Sequence, residues 1–193
     1  MKRIGLTGNI GSGKTLVSEI FKTLNVPVFN ADAEAKKILD TPDVTAQLSG
    51  IFGKKILIQN KIDRTTLAAI VFSDHQKLQQ LNNLIHPAVR AHFANWCVGF
   101  SAVDYVIYEA AIIFESGFYQ QLDGTMLVTA SEEIRIKRVM QRDKLSHEQV
   151  LSRIKNQWAD LQKASLAQFI IKNDETEMLI PQVLKIHSLV KNQ

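Results

Sequence analysis

A glycine-rich segment near the start of the chain constrains the fold more than any other feature. Residues 8–15 read Gly-Asn-Ile-Gly-Ser-Gly-Lys-Thr and fit the pattern G-x-x-x-x-G-K-[ST] in full. Glycines let the backbone curl so that successive N–H groups point at phosphate oxygens, and a helix that begins near Lys14 adds its positive end. Lys14 is expected to reach the β- and γ-phosphates, and the Thr15 hydroxyl to ligate Mg²⁺. The segment therefore predicts binding of a nucleoside triphosphate, without indicating the fate of the phosphate.

The residues around this segment predict a parallel α/β sheet. A strand over Lys2–Thr7 precedes the loop, a helix follows it, and a second strand spans Pro27–Phe29. The apolar face of the helix is expected to comprise Leu16, Val17, Ile20, Phe21 and Leu24. Further strands are expected over residues 104–108, 124–129 and 169–171, with helices that begin at Ser131, at Ser146 in a capping-box sequence, and near the C-terminus. This strand–loop–helix context favours a phosphate loop over an ordinary glycine-rich turn.

Residues 32 to about 100 carry a helical pattern, which predicts a helical insertion between strands. Helices are expected over Ala33–Leu39 and Thr65–Val71, and a third should stop before Pro87, because the residue before a proline disfavours helix. The same region contains Asn60-Lys61-Ile62-Asp63, which spells the N-K-x-D of GTPases. In GTPases that motif follows a late strand, and no aspartate of this chain has glycine three positions later, so we interpret the spelling as chance.

The composition is that of an ordinary folded protein. The chain is 46% apolar and 22% charged. Its 193 residues are enough for one domain, or for one domain with an insertion. Cys97 is the only cysteine, so no intrachain disulfide forms, and a reducing compartment, the cytoplasm, is the simplest expectation. We recognise no signal peptide or membrane-spanning run and expect no membrane partner. The net charge of +4 is too mild to argue for nucleic acid but suits an anionic small molecule; we expect a monomer or weak homo-oligomer.

Two carboxylates at the ends of strands are candidates for the chemistry. Asp32 follows the second strand, at the sheet edge where parallel sheets bind ligands, and could accept a proton from an attacking hydroxyl. A helix N-cap is an equally good interpretation of Asp32. Glu109 directly follows the strand predicted over residues 104–108. It could hold Mg²⁺ through water, or it could belong to a solvated rim. His86 and His92 lack a plausible third ligand, so no zinc site is predicted.

Arginines are concentrated in the helix that begins at Ser131. Arg135, Arg138 and Arg142 are spaced i, i+3, i+7 and share one helical face, and Arg153 follows in the next helix. Arginines on a mobile arm can neutralise the charge that phosphoryl transfer develops and can exclude water. The alternative is a solvated face paired with nearby carboxylates such as Glu132 and Asp143. We favour a functional role for Arg142 and leave both interpretations open for Arg135 and Arg138.

Several of these segments together resemble the dephospho-CoA kinase family, and they are spread over nearly the whole chain. The most particular to the family are the histidine–proline segment Ile85–Arg90 and the arginine segment Arg135–Asp143, because many kinases share the phosphate loop. The other resembling segments are Ile4–Lys14, Asn30-Ala31-Asp32 (aspartate is usual at the first position), Ile62-Asp63-Arg64, Phe114–Gly117, Arg153-Ile154 with Gln157, and Ile171–Asn173. The chain departs from the family at Ala111-Ile112-Ile113, where Pro-Leu-Leu is usual, and at Gln168, where aspartate is usual.

The resemblance implies a P-loop NTPase fold, a three-layer α/β/α core with five parallel strands, similar to nucleoside-monophosphate kinases. The nucleotide-binding core would comprise residues 1–31, 103–141 and 166–193, a helical acceptor domain residues 32–102, and a short lid residues 142–165. The implied reaction transfers the γ-phosphate of ATP to the ribose 3′-hydroxyl of dephospho-CoA, giving CoA and ADP, the final step of CoA biosynthesis.

The resemblance also assigns roles to residues. Asp32 would be the catalytic base, while Lys14, Mg²⁺ and Arg142 would stabilise charge. The metal contacts expected from the residues themselves are Thr15, from the phosphate-loop pattern, and Glu109, from its place at a strand end and through water. The nucleotide-binding residues would be Gly8, Gly11, Ser12, Gly13, Lys14, Thr15, Leu16 and Asn173. The acceptor-binding residues would be Asp32, Arg64, His86, Glu115 and Arg142.

Other functions could use the same loop. A kinase for another small acceptor, such as a nucleoside monophosphate, shares the loop and lid but need not share Ile85-His86-Pro87. A nucleotide-dependent switch would bind ATP and hydrolyse it slowly, with no stimulation by an acceptor. A nucleic-acid role has little support, because no aromatic–basic cluster accompanies the mild charge.

Overall fold

A computed structural model describes residues 1–192, for Phe72 the backbone alone. The strands are β1 (Lys2–Thr7), β2 (Val28–Asn30), β3 (Leu57–Ile58), β4 (Lys61–Ile62), β5 (Tyr105–Glu109), β6 (Gly124–Thr129) and β7 (Phe169–Lys172). The α-helices are α1 (Lys14–Thr23), α2 (Ala31–Leu39), α3 (Pro42–Phe52), α4 (Arg64–Phe72), α5 (His75–Val98), α6 (Glu132–Asp143), α7 (His147–Ile154), α8 (Asp160–Ala164) and α9 (Leu179–Asn192). Short 3₁₀ helices cover Lys54–Ile56 and Phe118–Gln121.

Five strands form one parallel sheet in the order β2-β5-β1-β6-β7, which confirms the predicted α/β fold. Every residue of β5 is buried, as strands covered on both faces of a parallel sheet require. Leu6 of β1 and Asn30 of β2 both pair with Glu109 of β5, so these three strands end at one edge. The chain that follows β1 therefore begins at the carboxyl edge of the sheet.

Helices α1 and α9 cover one face of this sheet. Val17 and Phe21 of α1 and Val183 of α9 have no exposed surface. The core cluster on this face comprises Ile4, Leu6, Val17, Phe21, Val26, Tyr105, Ile107, Met126, Val128, Ile171, Val183, Ile186 and Val190. The predicted apolar face of α1 is confirmed at Val17 and Phe21, and Ile20 and Leu24 are partly buried against the cluster. Leu16 is 53% exposed, so its assignment to the apolar face is wrong.

The chain divides into two compact units. One comprises Met1–Asn30 and Phe100–Gln193, with Gln193 itself outside the described residues, and contains the parallel sheet. The other, Ala31–Gly99, contains helices α2–α5 and the β3–β4 hairpin, with Leu48 and Ile56 fully buried in its interior. No helix within residues 1–192 is both long enough and apolar enough to cross a lipid bilayer.

Helix α5 contradicts the prediction that a helix ends before Pro87. The helix runs through this proline without a break. It begins after its N-cap Asp74, whose carboxylate accepts hydrogen bonds from two backbone N–H groups. Four apolar side chains recur at intervals of four residues and are buried on one face, namely Ile85, Val89, Phe93 and Cys97. The apolar face thus continues past the proline, and its burial outweighs the hydrogen bond that proline removes from the helix.

The β3–β4 hairpin lies in a region that the sequence pattern predicted as helical. Gln59 and Asn60 form its turn with φ of 50° and 62°, the left-handed conformation that two-residue hairpin turns use. Asp63 then caps α4, because its carboxylate accepts a hydrogen bond from the N–H of Thr65. A second hydrogen bond, from the Thr66 hydroxyl, lowers the pKa of Asp63. Asn60 and Asp63 therefore have local structural roles, which supports the interpretation of N-K-x-D as chance.

Candidate active site

The segment between β1 and α1 folds as a compact loop that depends on two glycines. Gly11 and Gly13 have φ of 79° and 93°, a region that glycine adopts without strain. A Cβ at Gly13 would overlap the side-chain amide of Asn173, and a Cβ at Gly11 would lie 2.5 Å from the backbone oxygen of Arg135. Both positions therefore require glycine for conformation and for space. Helix α1 begins directly after the loop, so its first N–H groups lie there.

Lys14 and Thr15 open α1 and place polar groups at the loop. The Nζ of Lys14 donates a hydrogen bond of 2.7 Å to the backbone oxygen of Gly8, which holds the ammonium across the loop. Thr15 is exposed in the first turn of the helix, and Leu16 beside it is 53% exposed. An ammonium, a hydroxyl and a helix N-terminus on one loop are the groups that bind the phosphates of a nucleoside triphosphate.

Asn173, which follows β7, braces this loop. It is 8% exposed, and its Nδ2 donates a hydrogen bond of 2.8 Å to the backbone oxygen of Ser12. Its own N–H bonds to the oxygen of Thr129 at 2.8 Å, and its oxygen accepts a bond of 3.0 Å from the guanidinium of Arg138. Asn173 thus ties the loop to the end of β6 and to α6, which places this predicted nucleotide-binding residue directly behind the loop backbone.

Two residues between α7 and α8, and the first residue of α8, also form hydrogen bonds with the loop. The Oε1 of Gln157 accepts a hydrogen bond of 2.8 Å from the N–H of Ile10. The Nδ2 of Asn9 donates to the backbone oxygen of Trp158 at 3.0 Å and to a carboxylate oxygen of Asp160 at 2.6 Å. Sequence reasoning missed these contacts, because their partners lie 147 to 151 residues apart and no periodicity joins them. One general rule could have indicated that such a contact exists: a backbone N–H of the loop needs a hydrogen-bond acceptor when it is buried.

The arginines predicted to share a face of α6 occupy different environments. Arg135 is 5% exposed, and its Nη2 lies 3.8 Å from the carboxylates of both Glu132 and Asp160. Arg138 is half-buried and pairs with Glu175 at 3.0 Å. Because Arg135 is buried, the interpretation of a solvated face is wrong for that residue.

Arg142 is the most exposed of the three, and it pairs with its neighbour Asp143. Its Nε and Nη2 donate to the two carboxylate oxygens at 2.7 and 3.0 Å, and Arg153 approaches the same carboxylate at 3.3 Å. The hydrogen bonds between them raise the pKa of Arg142 and lower the pKa of Asp143. An ion pair this exposed contributes little to stability, so Asp143 does not hold the guanidinium of Arg142 firmly.

Glu109 lies at the carboxyl edge of the sheet, at the end of β5. It is 6% exposed, so the solvated-rim interpretation is wrong. Its Oε2 accepts a hydrogen bond of 3.1 Å from the Nδ2 of Asn30 at the end of β2. Its carboxylate is a hard oxygen donor of the kind that Mg²⁺ prefers. In the described part of the chain no group of three or more His, Cys, Asp or Glu side chains could hold a metal ion.

Within the helical unit, three predicted acceptor residues lie on three helices. Asp32 is exposed in the first turn of α2, so its N-cap interpretation is wrong, because that helix already begins at Ala31. Arg64 opens α4 and donates a hydrogen bond of 2.7 Å to the carboxylate of Asp40. His86 is half-buried in α5, where burial and the nearby charge of Arg90 lower its pKa.

Glu115, the remaining predicted acceptor residue, forms a buried ion pair. Its Oε1 lies 2.6 Å from the Nζ of Lys163, and the two side chains are 14% and 0% exposed. The same oxygen accepts a hydrogen bond of 3.2 Å from the N–H of Trp158. No pattern in the sequence singles out Lys163, because a lysine on a short helix is usually solvated.

A parallel sheet whose first strand runs through a glycine-rich loop into a helix opened by lysine and threonine defines a P-loop nucleotide-binding protein. A family model described as dephospho-CoA kinase matches residues 2–178. The dephospho-CoA kinase of Bacteroides fragilis is 38% identical over 185 residues, which cover 95% of this chain and 90% of that protein. The chain therefore belongs to the dephospho-CoA kinase family, as the resemblance predicted.

Solved structures are similar over nearly the whole chain. A protein from Thermus thermophilus has a TM-score of 0.88 at 32% identity and covers 97% of this chain and 96% of its own. The dephospho-CoA kinase from Campylobacter jejuni has a TM-score of 0.71 at 30% identity, with coverage of 98% and 97%. The similarity thus includes the sheet, the phosphate loop and the helical unit.

Proposed function

We propose that this protein transfers the γ-phosphate of ATP to the ribose 3′-hydroxyl of dephospho-CoA, giving CoA and ADP in the final step of CoA biosynthesis. The observation that carries the proposal is a complete phosphate loop in a chain whose family match extends over residues 2–178. The loop supports a nucleoside triphosphate as the phosphate donor, and the family match supports dephospho-CoA as the acceptor.

The transfer requires alignment, charge neutralisation and exclusion of water more than covalent help from the protein. The 3′-hydroxyl oxygen attacks the γ-phosphorus, the bond from that phosphorus to the β–γ bridging oxygen breaks, and ADP leaves. Asp32 takes the hydroxyl proton, a role that suits an exposed carboxylate two residues after β2. Lys14, already held across the loop, neutralises negative charge on the β- and γ-phosphates.

Arg142 supplies a second cation from the segment 142–165, which we propose as the lid. Its side chain is 64% exposed, and its guanidinium is hydrogen-bonded to Asp143. Phosphate oxygens that replace Asp143 would gain the same two-point hydrogen bonding, which a planar guanidinium offers to phosphate as well as to carboxylate. The lid then contributes charge to the transfer and keeps water from the γ-phosphate.

Mg²⁺ would be held by the Thr15 hydroxyl and, through water, by the buried carboxylate of Glu109. When bound, the ion neutralises charge on the β- and γ-phosphates. The other proposed nucleotide contacts are Gly8, Gly11, Ser12, Gly13, Leu16 and Asn173. The loop glycines approach the phosphates through the backbone, and Asn173 acts by holding Ser12.

Arg64 and His86 are the proposed acceptor contacts in the helical unit. A guanidinium suits a phosphate group of dephospho-CoA. The lowered pKa of His86 keeps its imidazole neutral at pH 7, so the ring can both donate and accept hydrogen bonds. Glu115 is not included, because its carboxylate is committed to Lys163 in the protein interior.

A coupled assay of ADP release tests the proposal with purified protein, ATP and Mg²⁺. We expect ADP release to depend on dephospho-CoA, with a kcat/KM for this acceptor above that for any nucleoside monophosphate. A higher kcat/KM for a nucleoside monophosphate would refute the proposed acceptor. Slow ATP hydrolysis that neither acceptor stimulates would indicate a nucleotide-dependent switch. We further propose a cytoplasmic monomer or weak homo-oligomer without nucleic-acid or membrane partners, which sedimentation of the purified protein checks for oligomeric state.

A further inference from the structure

Lys163 of α8 is a fully buried lysine that the proposed transfer does not use. Its side chain is 0% exposed, and its Nζ lies 2.6 Å from Glu115 and donates to the backbone oxygen of Ala111 at 3.3 Å. A buried ammonium is costly unless it is paired and hydrogen-bonded. Lys163 and Glu115 therefore hold each other in place, and the hydrogen bond from Lys163 also holds the backbone at Ala111.

Hydrogen bonds lead from this pair to the phosphate loop. The Oε1 of Glu115 that faces Lys163 also accepts the N–H of Trp158 at 3.2 Å. The backbone oxygen of Trp158 in turn accepts the side-chain amide of Asn9 at 3.0 Å. Trp158 is thus held on one side by Glu115 and on the other by the second residue of the loop.

Gln157, the residue before Trp158, adds a second connection. Its Oε1 accepts the backbone N–H of Ile10 at 2.8 Å. Asn9 also bonds to Asp160 at 2.6 Å, so three hydrogen bonds join residues 157–160 to positions 9 and 10 of the loop. The position of Trp158 therefore affects the backbone of the loop that is proposed to bind the phosphates.

We propose that Glu115 and Lys163 are positioning residues of the nucleotide site: the buried pair holds Trp158, and through Trp158 and Gln157 it keeps Asn9 and Ile10 in the conformation that receives the triphosphate. This inference rests on the proposed function and deepens it, because it assigns Glu115 to the ATP side of the reaction.

The geometry favours this role over a contact of Glu115 with the acceptor. The Oε1 of Glu115 already has two partners, Lys163 and Trp158. Its Oε2 is buried as well, with no hydrogen-bond partner among the described residues. A direct acceptor contact predicts that loss of Glu115 raises the KM for dephospho-CoA. A positioning role predicts that the KM for ATP rises and the KM for dephospho-CoA does not.

Three variants of the pair and one control test the proposal in the 193-residue protein. Lys163→Met and Glu115→Gln each leave one buried charge without its partner. The double variant Glu115→Gln/Lys163→Met removes both charges, so no unpaired charge is left buried. The new amide oxygen at position 115 can still accept the N–H of Trp158. The control is Lys22→Met, which breaks an ion pair of similar length, 2.7 Å from Lys22 Nζ to Glu19, but on the surface of α1.

For each single variant of the pair we expect the KM for ATP to rise about tenfold, equivalent to about 1.4 kcal/mol. The KM for dephospho-CoA should stay within about twofold of the parent. The double variant should recover at least about threefold in KM for ATP relative to Lys163→Met, because no charge is left buried and unpaired. Lys22→Met should leave both constants within about twofold.

An increase in the KM for dephospho-CoA alone would overturn the proposal and return Glu115 to the acceptor. Equal increases in both constants, or no change in either, would also overturn it, since they indicate a general structural role or none. If the pair variants do not fold, Gln157→Leu still tests the proposal. It leaves the buried pair intact and removes the side-chain oxygen that accepts the Ile10 N–H. An unchanged KM for ATP in Gln157→Leu overturns the proposal. The Kd for ATP, measured by calorimetry, decides it separately from the proposed function: a parent that binds ATP but does not phosphorylate dephospho-CoA would refute only the latter.

Discussion

Replacing Gly13 with alanine tests whether the loop is held by both its backbone conformation and its packing against Asn173. At φ 93° an alanine is strained by about 1 kcal/mol. The added Cβ would overlap the side-chain amide of Asn173 and force it away from Ser12. A buried polar group left without its hydrogen bond costs about 1–3 kcal/mol. We therefore expect Gly13→Ala to lower the free energy of unfolding by about 2–4 kcal/mol.

Gly117→Ala separates the two contributions. Gly117 also has a positive φ, 69°, but a Cβ there would meet nothing within 4 Å. It belongs to the same compact unit as Gly13, so one unfolding transition reports both variants. Urea unfolding followed by far-UV circular dichroism should show a loss of about 1 kcal/mol for Gly117→Ala, the conformational cost alone. If the two variants lose the same free energy, the overlap with Asn173 contributes nothing and the reasoning about this loop is refuted.

Three further predictions concern the chemistry and its pH dependence. Asp32→Asn should bind ATP with the parental Kd but lose about 10²- to 10⁴-fold in kcat, the range of a general base; a parental kcat in the ADP-release assay would remove Asp32 from the mechanism. Arg142→Gln should lower kcat by about 10²-fold or more, whereas Arg153→Gln, which also removes a partner of Asp143, should lower it less than about tenfold; equal losses would contradict the assignment of Arg142. His86 has a lowered pKa in the folded state, so the unfolded chain binds its proton first as pH falls, and stability contributed by neutral His86 is lost below about pH 6.5. Urea unfolding at pH 7.5 and 5.5 should therefore show a smaller drop in free energy for His86→Gln than for the parent, and an equal drop would contradict the burial of His86.

The sequence predicted correctly those elements whose structure depends on neighbouring residues in the chain. Strands β1 and β6 were predicted over their full length, because continuous apolar runs reflect burial on both faces of a parallel sheet. The capping box at Ser146 was confirmed as well, because its two hydrogen bonds involve residues three positions apart. In each case the physical cause lies within a short window of sequence.

Predictions were wrong where tertiary packing decided the outcome. The residue before Pro87 disfavours helix locally, yet the buried side chains on both sides of this proline keep α5 continuous. The turn at Gln59 and Asn60 contains no glycine, so the usual signal of a tight hairpin was absent. Local propensity is a weak indicator in such places, since the deciding contacts join distant segments.

The same distinction explains which part of the candidate site the sequence revealed. The phosphate loop is recognisable because glycine, lysine and threonine must stand at fixed spacing to curl around phosphates. The resemblance to a known family singled out Asn173 and Gln157, but the residues around them did not. Each supports the loop through a single hydrogen bond, to Ser12 and to Ile10, from about 150 residues away. A single amide side chain that supports a distant loop leaves no periodicity or spacing in the local sequence.

The supports of the loop couple it to the segment proposed as the lid. Residues 157–160 bond to Asn9 and Ile10, and they follow α7 after only two intervening residues. Any change that triphosphate binding makes in the backbone of Asn9 or Ile10 must therefore alter these bonds or move the chain that carries α7. Arg153 lies in the last turn of α7 and shares Asp143 with Arg142. A displacement of α7 would therefore change the environment of the arginine proposed to stabilise the transferred phosphate. We therefore expect occupation of the loop to affect the pairing of Arg142 with Asp143 through this short segment of backbone.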